Sequence, residues 1–127
     1  MIMVKDSLNS KPLLQLTNSK FQESVWCQID LDNSRLVLGA CYRSTASTSE
    51  NDKELFHLLK RATRVSLGTQ IMILGDFNYP DIDYRNVDHG VGIGVGSESL
   101  RFLDVVRDTG LYQHVREFTR YREGTEM

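Results

Sequence analysis

Cysteine is scarce in this chain: 127 residues hold two, Cys27 and Cys41. Both sit in apolar, strand-like segments and read as small buried thiols of a reducing, intracellular compartment. A bridge between neighbouring strands stays open, but nothing in their spacing requires one. Long apolar runs are also lacking. No stretch approaches the roughly 20 residues of a membrane span, and residues 1–6 lack the apolar core of a signal peptide. Charge of either sign is not in excess; the net value of −2 does not mark a nucleic-acid binder. No Cys/His spacing fits zinc, and no Gly-x-Ser-x-Gly offers an esterase nucleophile. There is no internal repeat and no low-complexity tract beyond the glycine alternation at residues 90–96. What remains is 40% hydrophobic and 25% charged, a globular, soluble composition sufficient for one domain over residues 1–127.

Periodicity divides the chain. Residues 1–5 are apolar and predict a strand, and residues 6–22, polar with Pro12, a connecting loop. Val25, Cys27 and Ile29 alternate with polar neighbours over residues 24–31, and Trp26 adds a second large apolar group. Asp32-Asn33-Ser34 signals a turn into a second strand over residues 35–42, giving a hairpin. After a polar loop, Ser49 is the expected N-cap of a helix whose Glu50, Asp52 and Glu54 suit its positive end. Leu55, Leu58, Leu59, Ala62 and Val65 share one face of that helix, and Gly68 ends it. Gln70 then leads into a short apolar strand at residues 71–74. Residues 79–96 show no period and predict a long loop. A second helix over about 97–108 has Leu100, Leu103 and Val106 on its core side. Gly110 fits the left-handed position after it. Residues 111–115 predict a further strand, and the last twelve residues are polar. Strand, helix, strand, helix, strand in succession argues for an α/β layer architecture.

The chemistry concentrates at Ile71-Met72-Ile73-Leu74-Gly75-Asp76-Phe77-Asn78. A run of strand length stops on Gly-Asp-x-Asn, Gly75 letting the backbone turn sharply. Asp76 and Asn78 then stand at the carboxyl end of a strand, where α/β enzymes gather polar groups. A carboxylate and an amide there suit holding a water and a phosphate beside a metal ion, although Asp and Asn are also common in plain turns. Other candidates are weaker. Asp81-Ile82-Asp83 fails as an EF-hand because Asn86 and Gly92 occupy the positions that need Gly and Glu; a turn with Ile82 tucked inward fits better. Gly90, Gly92, Gly94 and Gly96 follow no strand and read as a flexible loop, not a phosphate cradle. His57, His89 and His114 are scattered. Two basic clusters, Lys60, Arg61 and Arg64, then Arg116, Arg120 and Arg122, read as solvated surface.

Several segments together carry a family resemblance. They are Gly39-Ala40-Cys41-Tyr42-Arg43, the helix after it, residues 71–78, and Tyr79-Pro80-Asp81-Ile82-Asp83-Tyr84. Arg101-Phe102-Leu103-Asp104, then Gly110-Leu111-Tyr112-Gln113-His114-Val115 and Phe118-Thr119-Arg120, continue the run. In this order, over nearly the whole chain, they resemble the endonuclease/exonuclease/phosphatase superfamily. Within it they look most like the apurinic-type endonuclease domain of non-LTR retrotransposon polyproteins. The resemblance implies a DNase I-like fold: a two-sheet β-sandwich with flanking helices in four layers (α/β/β/α), here incomplete at both ends.

It also implies hydrolysis of phosphodiesters with Mg²⁺ in the complete domain, DNA as substrate, and a nuclear location when the parent element is active. Carried over by position, Asp76 orients or deprotonates the attacking water, Asn78 hydrogen-bonds the scissile phosphate, and Tyr42 sits near that phosphate. The family's metal-binding Glu, with an Asn before it, belongs upstream of the segment matching residues 1–5. Glu23 lies in the wrong segment to replace it. The later Asp and closing Ser-Asp-His belong past Met127; Val87-Asp88-His89 imitates that motif too early. Ser44 and Thr45 stand where relatives often carry Pro or Asn. The expectation is therefore the middle of an endonuclease domain, inactive alone, with no metal ligands assigned in this stretch. A non-catalytic remnant or interaction module is the alternative. A phosphatase or lipid phosphodiesterase of the same superfamily is another, less favoured by the run at residues 79–84.

Overall fold

A computed structural model describes residues 2, 4–5, 9–82, 96–114, 121–122 and 125–126. The chain divides into two compact units, residues 1–78 and 79–127. No helix among the described residues is long and apolar enough to cross a membrane.

The first unit is built on a four-stranded sheet in the order β1-β2-β3-β4, from β1 (Asn9–Pro12), β2 (Ser24–Asp30), β3 (Arg35–Tyr42) and β4 (Gln70–Asp76). β2 and β3 form the expected antiparallel hairpin, Ser24 opposite Cys41 and Asp30 opposite Arg35. Leu31 and Ser34 close its turn, the Leu31 N–H donating to the Ser34 carbonyl at 2.8 Å. β3 and β4 run parallel, so α2 (Ser49–Val65) is their crossover. A short α1 (Leu14–Thr17) lies between β1 and β2.

Packing follows the alternation of the strands. Trp26 stands opposite Gly39, and a Cβ added at Gly39 would come within 2.3 Å of the indole ring. The indole N–H donates to Ser24 Oγ at 3.0 Å, so the buried ring keeps its polar end satisfied. Leu16, Phe21, Trp26, Val37, Leu55 and Leu59 are buried almost completely. Each such side chain contributes on the order of 1.5–3 kcal/mol by leaving water. On α2, Leu55, Phe56, Leu58, Leu59 and Ala62 are buried, whereas Val65 is exposed.

Several expectations are corrected. The segment 6–22 is not simply a loop, because β1 and α1 lie within it. β1 is held by backbone pairing to β2 and all four of its residues are exposed, so it carries no apolar period. Of residues 1–5, Ile2, Val4 and Lys5 lie in no strand, and Met1 and Met3 fall outside the described residues. Thr48, not Ser49, caps α2: its Oγ1 accepts the Asn51 N–H at 3.1 Å. β4 extends over residues 70–76 and, among the described residues, stands at an edge of the sheet, with Met72 and Leu74 about half exposed. The cysteines match their reading as buried thiols: both are free, and Cys27 faces Leu38 rather than Cys41.

In the second unit α3 (Ser97–Asp108) matches the expected span, but its buried residues are Ser99, Phe102, Leu103 and Val105. Leu100 and Val106 are only half-buried. Tyr79 stacks on Phe102 with ring centroids 4.8 Å apart. Gly110, at φ +75°, ends the helix in the left-handed conformation. The Leu111 N–H donates to the Val106 carbonyl and the Gly110 N–H to that of Arg107, the paired bonds of a Schellman end. Residues 111–114 form no strand, and Val115 lies outside the described residues. β5 (Tyr121–Arg122) and β6 (Thr125–Glu126) form a two-residue antiparallel pair. The described residues thus give a mixed α/β fold with a four-stranded sheet and a separate two-stranded pair, and they do not establish the expected two-sheet sandwich.

Candidate active site

Tyr42 ends β3 and Asp76 ends β4, and the parallel register makes them direct partners. Both face solvent. The pair therefore lies at the carboxyl ends of two parallel strands, where such sheets bind ligands. Gly75 sits beside Tyr42's neighbour Cys41. A Cβ at Gly75 would approach the Cys41 carbonyl oxygen and the Phe77 ring at 2.8 Å each. Glycine is needed there for space. The sharp turn comes later than expected: β4 continues through Asp76, and Asn78 adopts φ +54°. Asn is one of the few side chains at ease in that region.

The turn brings Asn78 back against β3. Its Nδ2 donates to the Arg43 carbonyl, while the Arg43 N–H donates to the Asp76 carbonyl at 2.8 Å. Arg43 Nη1 donates to the carbonyls of Phe77 at 3.1 Å and Asn78 at 3.0 Å. Asp52, from the first turns of α2, receives the rest of the guanidinium: Nε to Oδ1 at 2.8 Å and Nη2 to Oδ2 at 3.0 Å. Ser47 Oγ donates to Asp52 Oδ1 at 2.6 Å, and Asn51 Nδ2 donates to Ser47 Oγ at 3.0 Å. Arg43 and Asp52 are both buried. Burial pushes the Asp52 carboxyl up, but hydrogen bonds from Arg43 and Ser47 and the Arg43 charge outweigh it, leaving it below its ordinary value.

The structure thus brings Tyr42, Asp76 and Asn78 to one end of the sheet. Two residues of this end were not assigned roles in the sequence reading. Asp52 was read as a partner of the helix dipole, and Arg43 only as part of a matching segment. A usable signal existed. Asp52, Leu55, Leu59 and Ala62 recur at helical spacing, so an acid lies on the buried stripe and needs a cation.

Other candidates fall elsewhere. Asp81 accepts the Gly96 N–H at 2.7 Å and the Ser99 hydroxyl at 2.5 Å, so it caps α3. Burial raises its carboxyl, and these bonds, with one from its own backbone, bring it below the ordinary value. Ile82 is buried, as expected of the turn. Residues 83–95, with Asp83, Val87-Asp88-His89 and the glycine alternation, lie outside the described residues, as do Arg116 and Arg120. His57 is exposed on α2, and His114 meets Tyr112 edge-on at 5.0 Å. Lys60, Arg61 and Arg64 are exposed, and Arg61 Nη1 reaches the Gln15 carbonyl at 3.3 Å. Burial pushes the Cys41 thiol up to about 12, which suits an inert core residue and not a nucleophile.

Among the described residues no three His, Cys, Asp or Glu side chains gather where a metal ion could bind. Mg²⁺ asks for octahedral oxygen ligands, usually one or two carboxylates completed by phosphates and waters. Asp76 supplies one exposed carboxylate. The described residues alone therefore do not build a Mg²⁺ site.

No family model and no curated protein matches the chain. Among solved structures it is similar to the endonuclease domain of TRAS1, a telomere-specific non-LTR retrotransposon. The TM-score is 0.66 at 16% identity, over 98% of this chain and 53% of that one. At this identity the likeness establishes a shared fold, and the chain spans about half the length of the domain it resembles.

Proposed function

We propose that the chain is the central part of a phosphodiester-cleaving domain that nicks DNA. The observation that carries this reading is the meeting of Tyr42, Asp76 and the inward-folded Asn78 at the carboxyl ends of β3 and β4. The fold shared with a retrotransposon endonuclease domain supports it. Asp76, an exposed carboxylate, takes a proton from or orients the attacking water. Asn78 Nδ2 carries two N–H bonds; one goes to the Arg43 carbonyl and the other serves the scissile phosphate. Tyr42 flanks the same phosphate with its hydroxyl. Mg²⁺ would supply neutralisation of the phosphate charge, with Asp76 the carboxylate that this strand end offers it. For an active parent element the place of action is the nucleus.

The test is conversion of supercoiled plasmid to the nicked circle by the chain lengthened with the coding sequence on either side. Nicking that requires Mg²⁺ is expected. A folded, lengthened chain that leaves the plasmid intact rejects the reading in favour of a non-catalytic module. Release of phosphate from monoesters without nicking favours a phosphatase of the same fold.

A further inference from the structure

Arg43 touches three consecutive residues of the Gly75-Asp76-Phe77-Asn78 turn, using every part of itself. Its backbone N–H holds the Asp76 carbonyl, its own carbonyl holds the Asn78 amide, and one guanidinium nitrogen bridges the carbonyls of Phe77 and Asn78. Asp52 grips the other side of the guanidinium with both oxygens, and Ser47 and Asn51 brace Asp52. Asn78 tolerates its left-handed backbone, and the Arg43 contacts hold the turn in that conformation. A planar fork with donors along two edges meets this geometry, whereas a lysine ammonium is a point donor.

We propose that Arg43, locked by Asp52, is a positioning residue: it fixes the turn so that the Asn78 amide presents its remaining N–H to the substrate phosphate. The inference rests on the nuclease reading for its catalytic consequence, but not for the contact itself. Arg43 does not meet the reacting atoms. It acts through Asn78, and Asp52 acts through Arg43. A displacement of about 1 Å at a reacting group can cost on the order of 10²-fold in rate, so loosening this clamp should lower turnover while leaving substrate affinity nearly unchanged.

Two readouts separate the inference from the function it serves. The first is the side-chain amide signal of Asn78 in ¹⁵N–¹H spectra of the lengthened domain. Arg43→Ala should move it and speed its hydrogen exchange, and millimolar guanidinium should return it toward the native position. An unmoved signal overturns the positioning role whatever the activity. The second is nicking by the lengthened domain. Arg43→Ala and Arg43→Lys should lower kcat by about 10²-fold with little change in KM. Guanidinium should restore part of the loss in Arg43→Ala. Asp52→Asn, which keeps the shape and one acceptor oxygen, should fall between native and Arg43→Ala. A native kcat in Arg43→Ala overturns the inference, as does a loss that guanidinium leaves untouched in a variant shown by circular dichroism to be folded. If the unsubstituted domain does not nick, the nuclease reading falls, and the Asn78 signal alone decides the contact.

Discussion

The carboxylate of Asp52 and the guanidinium of Arg43 meet edge to edge, with paired hydrogen bonds of 2.8 and 3.0 Å, although one belongs to α2 and the other follows β3. Both side chains are nearly removed from water, at 3% and 10% exposure, so neither charge has solvent to fall back on. Removing one partner of such a pair typically costs about 3–5 kcal/mol, because the other is left buried and unpaired. Asp52→Ala should therefore lower stability by roughly that amount, read as a shift of the urea midpoint. The double change Arg43→Met with Asp52→Leu should cost less than either single change. A single-variant loss below about 1 kcal/mol contradicts the strength assigned to the pair.

The same contact fixes a pH dependence. The folded carboxyls of Asp52 and Asp81 both lie below their ordinary value of 3.8. Unfolded chains then bind protons that the folded state refuses, so both groups add stability above that value. The contribution declines as pH falls past 3.8 toward the lower folded values. Stability measured between pH 5 and pH 2 should fall, and Asp52→Asn should flatten part of the slope. An unchanged slope in that variant shows that other carboxyls control acid unfolding.

Gly39 faces Trp26 with no room for a methyl group. Gly39→Ala must push the indole aside, and overpacking of this kind costs about 1–3 kcal/mol. The emission of Trp26, the sole tryptophan, should shift to longer wavelength as the ring gains water. Unshifted emission with native stability would show that the sheet absorbs the added carbon.

How much of this could be read from the residues depends on what each residue answers to. β2, β3, α2 and α3 were legible because each buries an apolar row at its own period, β4 from its short apolar run, and the Gly110 end of α3 from its neighbours. β1 was not, since its four exposed residues are held through their backbone by β2. The exposed side of β4 was also hidden: its apolar run reads as a buried strand, and only the strand order of the described residues puts it at an edge. At the candidate site, Asp76 and Asn78 were legible from Gly-Asp-x-Asn closing an apolar run and Tyr42 from segment resemblance, whereas the parallel register that pairs Tyr42 with Asp76 is a property of the fold. The Arg43–Asp52 lock joins two residues nine apart across a turn between elements, a relationship no single period expresses.

Among the described residues β4 stands at an edge of its sheet, and its Met72 and Leu74 have about half of their surface exposed. An open edge with apolar side chains is a template for association. The 127-residue chain should therefore self-associate, with a broad and weakly cooperative melt. Leu74→Lys should reduce light scattering at equal concentration, since charge on an edge opposes pairing. Monomeric elution and a sharp two-state melt of the unsubstituted chain would remove this edge as a liability and strengthen the case for a self-sufficient module.

The most direct test is plasmid nicking by the lengthened domain carrying Asp76→Ala, compared with the unsubstituted domain at matched folding. A positioned acid–base group contributes on the order of 10²–10⁴-fold. Asp76→Ala should lower kcat within that range with an unchanged circular dichroism spectrum, and Asn78→Ala should follow it through loss of the amide donor. Nicking at the native rate by Asp76→Ala would contradict the assignment of this strand end as the catalytic centre.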